Sequence, residues 1–128
     1  MLTQAMLTTS VALLLLAADP ADTTDGVSRT DSDTDRVPLH TVFPTYPRTA
    51  RRDRIEGEVQ VCFNINRRGR PTSIAVRRST HRVFEKPSRK AVRKSTWVPL
   101  GKDEPMSGIK ACRTFRFNLV PVPTDERD

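Results

Sequence analysis

Two cysteines, two histidines and a few serines and carboxylates are the residues of this 128-residue chain whose types can do chemistry. Cys62 and Cys112 are far apart and form no C-x-x-C pair, so redox catalysis has no support; the choice is between a structural cross-link and two free thiols. His40 and His81 each lack a second ligand at metal-binding spacing and read as surface residues. Glu56 and Glu58 lie two apart at a strand start, and Ser79 and Ser95 have no partnering base. Nothing combines nucleophile, base and orienting group. The chain is therefore expected not to be an enzyme, and to need neither cofactor nor metal.

The elements that would position these residues follow from periodicity. Pro44 and Pro47 hold the chain extended around Tyr46, and TARRDR then allows about one helical turn before Gly57 ends it. From Val59 the pattern alternates, with Val59, Val61, Phe63 and Ile65 on one face and Gln60, Cys62, Asn64 and Asn66 on the other, the period of a half-buried strand. RRGRP turns the chain, Gly69 being free to take positive φ. Ile74 and Val76 mark a second strand that fades at Ser79 and Thr80. Phe84, Ala91 and Val92 then fall at helical spacing, with Pro87 tolerable only in the first turn. The last stretch returns to period two, Ile109, Ala111, Phe115, Phe117 and Leu119 against Lys110, Cys112, Thr114, Arg116 and Asn118, with Arg113 as the one misfit.

This order and these residues resemble the C-terminal domain of TonB, the periplasmic energy transducer of Gram-negative bacteria, from about Val42 to Val120. Tyr46, Pro47 and Ala50 match Y-P-x-x-A; Ile55, Glu56, Gly57, Val59, Val61, Phe63 and Ile65 match I-E-G-x-V-x-V-x-F-x-I. Gly69, Ser79, Phe84, Glu85, Ala91, Trp97, Pro99, Phe115, Phe117 and Leu119 complete the series. Ser95 stands where the family carries the first of two aromatic residues, which predicts weaker anchoring of the helix. The resemblance implies an α+β fold, a small three-stranded antiparallel or mixed sheet of order 2-1-3 with helices on one face. It also implies a binding mode: an outer-membrane TonB-dependent receptor adds a peptide segment to the third strand, taken as the sheet edge. Ile109, Lys110, Ala111, Arg113, Thr114, Phe115, Arg116 and Phe117 would form that edge, with Lys110, Thr114 and Arg116 biasing partner choice. A right-handed crossover between the second and third strands leaves the first between them. Cys62 and Cys112 then sit on neighbouring strands, facing away from the helix, and a disulfide between them is expected, in keeping with an oxidising compartment.

Outside the domain, residues 1–18 carry no charge and include the apolar run VALLLLAA, too short to span a bilayer and read as a cleaved signal peptide. Periplasmic export follows as the expectation, with an inner-membrane anchor facing the periplasm as the alternative. Residues 19–41 hold six Asp against two Arg up to Arg36 and are expected to be a disordered acidic leader; residues 121–128 are expected to be a disordered tail. From Val37 to Val120 there are nineteen Lys and Arg against six Asp and Glu. With no ribonucleoprotein box or zinc-finger spacing, no nucleic acid is expected as a partner; the charge suits a solvated surface or an anionic envelope surface. A homodimer through the edge strand stays open. Energy-transducing relatives have a transmembrane start and a long Pro-rich spacer, and this chain shows neither. The alternative function is therefore a soluble, anchorless TonB-family scaffold or envelope-binding protein with no energy-transducing role.

Overall fold

The alternating apolar face of Val59, Val61, Phe63 and Ile65 is buried along a nine-residue strand, and the rest of the fold is built around it. The computed structural model describes residues 23–119. The expected signal peptide and C-terminal tail lie outside these. In chain order the elements are β1 (Thr23–Thr24), β2 (Val27–Asp31), β3 (Pro38–His40), α1 (Arg48–Arg52), β4 (Gly57–Ile65), β5 (Pro71–Ser79), a 3-10 turn (Arg82–Phe84), α2 (Glu85–Lys94), β6 (Thr96–Trp97) and β7 (Ala111–Phe117). The main sheet runs β1-β2-β7-β4-β5, and β3 pairs with β6 in a separate two-stranded piece. The expected order of β5, β4 and β7 holds, but the sheet has five strands where three were expected. The two extra strands come from residues read as a disordered leader.

Local chemistry explains most boundaries. In α1, Pro47 is the N-cap residue and the turn ends where Arg54 takes φ 55°, letting the Ile55 N–H reach the Ala50 carbonyl at 2.8 Å. Gly57 therefore does not terminate the helix. Its role is packing, since a Cβ there would lie 2.6 Å from the Phe84 ring. At the β4–β5 tip Gly69 has φ 82°, and the Asn66 side chain accepts from the N–H groups of Arg68 (3.0 Å) and Arg70 (2.9 Å). Pro87 lies in the first turn of α2, where its missing N–H costs nothing.

The core lies between the sheet and the two helices. Tyr46 meets Phe84 and Phe117 edge-on at 5.7 and 5.5 Å, and Phe84 stacks on Phe117 at 4.2 Å. Phe63 and Trp97 pack at 5.1 Å, with Ala50, Ala91 and Val92 closing the layer from the helices. Each such side chain fully withdrawn from water contributes roughly 1.5–3 kcal/mol.

Candidate functional site

The expected binding surface is β7, and both of its sides are paired. Ala111, Arg113, Phe115 and Phe117 point into the core, while Thr114 and Arg116 lie on the opposite face. Along one side β4 runs antiparallel, from Phe63 opposite Ala111 to Gly57 opposite Phe117. Along the other side β2 runs antiparallel, from Val27 opposite Phe117 to Asp31 opposite Arg113. The expectation of an open edge at β7 is thus corrected, and so is that of a disordered leader over these residues. Ile109 and Lys110 lie before the paired register and are exposed, Ile109 by 57%.

The physical reason for β2 begins with Asp25 and Gly26, whose φ angles of 47° and 83° make a primed two-residue turn between β1 and β2. The Gly26 carbonyl accepts from the Asn118 N–H at 2.8 Å, and Val27 is fully buried. At the far end Ser32 exchanges bonds with Cys112, its N–H donating at 2.9 Å and its hydroxyl accepting at 2.8 Å.

Between those ends sits the misfit of the alternating pattern. Arg113 is 1% exposed and its guanidinium forms a two-point pair with Asp31, Nε to Oδ1 at 2.6 Å and Nη2 to Oδ2 at 3.0 Å. Its other neighbours are the Trp97 ring, 5.0 Å from the guanidinium carbon, and the Ser95 hydroxyl at 3.5 Å. A fork meeting a carboxylate in this way is among the stronger charge-assisted contacts, and one with a fixed direction. Asp31 also contacts Arg29.

Ser95 holds its position by polar bonds in place of the aromatic ring. Its hydroxyl donates to the Ala91 carbonyl at 2.8 Å and accepts from the Val42 N–H at 3.0 Å, and the residue is fully buried. The helix end is therefore anchored, by hydrogen bonds rather than by an aromatic contact. Cys62 and Cys112 are directly opposite each other on β4 and β7 and are joined as a disulfide. Tyr46 donates to the Ile55 carbonyl, and Glu56 accepts from the Leu119 N–H at 3.1 Å. Burial raises the Tyr46 phenol above its ordinary value, with Glu56 adding to the shift and Arg51 and Arg54 opposing it.

The other candidates take structural places. Ser79 donates to Glu85 at the start of α2. His40 is exposed on β3, and His81 is exposed beside Phe84. Among the described residues no group of three His, Cys, Asp or Glu is placed to hold a metal, and no helix is long and apolar enough to cross a membrane. The basic tip is partly structural: Arg67 donates to the carbonyls of Gly101, Lys102 and Glu104, while Arg78 and Arg116 share Glu58.

An α+β domain with an internal cross-link is thus the class that the geometry defines. The family described as Gram-negative bacterial TonB protein C-terminal matches residues 43–119, more than half of the chain. The solution NMR structure of the Pseudomonas aeruginosa TonB C-terminal domain is 35% identical, with a TM-score of 0.52 over 70% of this chain and 91% of that one. A comparison with curated proteins returned no match. The chain belongs to the TonB C-terminal family, a family of cell-envelope domains of TonB-dependent transport and not an enzyme family. β2 lies outside the matched residues.

Sequence reasoning missed β2, Asp31 and the buried role of Arg113. The signal was present: Asp-Gly between short Thr- and Val-containing runs is a hairpin turn pattern, and an arginine on an apolar face calls for an acidic partner.

Proposed function

We infer that this domain is a periplasmic peptide-binding module of TonB-dependent transport, taking an extended segment of an outer-membrane receptor by strand addition along β7. The observation that carries this reading is β2 itself. A five-residue segment from outside the family-matched region already lies antiparallel along β7, with one buried apolar side chain and a partly buried ion pair to Arg113. Main-chain pairing of this kind gives affinity, and the alternate side chains give specificity. A receptor segment would take the place that β2 holds. The disulfide supports an oxidising compartment, since such bonds persist in the periplasm and are rare in the cytosol.

The test is backbone NMR of the labelled full-length chain titrated with a synthetic peptide from the periplasm-facing segment of a TonB-dependent receptor. Shifts concentrated on Ala111–Phe117 and on β2 are expected. Shifts confined to other surfaces would refute strand addition at β7.

The same strand, if it stays in place, supports a second reading, a scaffold or envelope-binding protein with no energy-transducing role. An edge already filled by the chain's own strand is what a module without a receptor partner would show. Among the described residues the outer strands are the two-residue β1 and β5, the latter carrying Pro71, Arg77 and Arg78 and two irregularities in its pairing. Charges, proline and bulges are the usual means of keeping such an edge from pairing with another copy. In that reading saturating receptor peptide leaves β2 in place.

A further inference from the structure

The pair between Arg113 and Asp31 bears on which strands β7 can accept. Arg113 projects from β7 to the core side, between buried Ala111 and Phe115. Any strand laid along this edge covers the guanidinium from the open side. If that strand is apolar at the position of Asp31, it buries the charge with only the Ser95 hydroxyl at 3.5 Å and the Trp97 ring for company. An ion withdrawn from water without its counter-charge is strongly disfavoured, whereas one met by a two-point carboxylate is not. Four residues earlier on the same strand, the space opposite Phe117 holds the fully buried Val27, and before it comes a glycine at φ 83°. A Cβ on that glycine would stand 2.7 Å from the Asn118 carbonyl oxygen.

We propose that Arg113 is a specificity-determining residue of the β7 edge, selecting extended partner segments that place a carboxylate opposite it and a small apolar residue opposite Phe117. In the direction of the incoming strand the pattern is glycine, apolar, three residues, then Asp or Glu at the last of the four steps. The chain's own Gly26–Asp31 satisfies it and stands as the resident competitor. Arg29 also contacts Asp31 but belongs to the resident strand and leaves with it, so the selecting charge that stays on β7 is Arg113. The inference rests on the reading of β7 as the receptor-binding edge.

The test uses two synthetic peptides spanning residues 23–33, one with the native sequence and one with Asp31→Asn. Each is titrated by NMR and calorimetry into the full-length chain carrying Val27→Asp, which expels its own β2 from the apolar space. The native peptide is expected to shift the amides of Ala111–Phe117 and to bind about ten- to a hundredfold tighter than the Asn peptide, the range set by a hydrogen-bonded charge. Adding Arg113→Met to the chain should abolish the difference. Should Val27→Asp not fold, a chain with Asp31→Asn alone keeps its anchor and is expected to release β2 to the native peptide more readily than the unmodified chain does. Equal binding of both peptides at β7 would overturn the role of Arg113 while leaving strand addition intact. Failure of both peptides to shift any β7 amide would overturn both.

Discussion

On β7, Arg113 is a charged side chain turned into the core. An alternating strand with one arginine on its apolar face is an energetic problem unless a carboxylate arrives from elsewhere, and Asp31 arrives from 82 residues away in sequence. Asp31→Asn keeps the shape and removes the charge, and is expected to lower the unfolding free energy by about 1.5–3 kcal/mol in urea titrations, the range for a hydrogen bond to a charged group. No change would mean that water already screens the pair. Tyr46 gives a second test, being the chain's one tyrosine. Burial, with Glu56 adding to it, raises the ionisation of its phenol above the ordinary value. The neutral form is the one that the fold favours. That contribution is complete below the unfolded value and is lost as pH climbs through the folded one. The phenolate absorbance should therefore titrate above its ordinary midpoint, and Tyr46→Phe should remove part of the alkaline loss of stability.

At the scale of elements, β2 depends on its turn. Gly26→Ala puts a side chain at φ 83° and against the Asn118 carbonyl, so it should loosen β1 and β2 while leaving β4 and β5 intact. Faster amide exchange confined to β2 and its partners on β7 is the expected readout; uniform loss across the sheet would contradict it. Gly57→Ala is expected to act on the core instead, at a cost of about 1–3 kcal/mol, because the new Cβ meets the Phe84 ring. The strands β4, β5 and β7 and the helix α2 were legible because their apolar residues recur at the period of the element that buries them. The placing of Cys62 and Cys112 on neighbouring strands followed from the crossover rule; their register did not. β2 was not legible from composition: an acidic, Thr- and Ser-rich stretch buries little of its own surface, and it folds here because β7 supplies a waiting edge and Arg113 a waiting charge. Ser95 was not legible for a related reason, since a buried hydroxyl can anchor a helix end by hydrogen bonds that no apolar pattern reveals.

For the whole molecule, a small core is held by one covalent link across the two central strands, between residues 50 apart. Replacing both cysteines by alanine should cost roughly 2–4 kcal/mol, read as a lower denaturation midpoint, with the fold retained in the absence of denaturant. The disulfide fixes β7 to β4 on one side, while the β2 side is joined without a covalent link, by hydrogen bonds, the buried Val27 and the pair between Asp31 and Arg113. That asymmetry is what strand exchange requires. Hydrogen exchange of the full-length chain with and without a saturating receptor peptide tests it most directly. The amides of Val27–Asp31 are expected to lose protection on peptide binding while those of Ala111–Phe117 keep theirs; protection of β2 that persists with peptide bound would contradict strand exchange at β7.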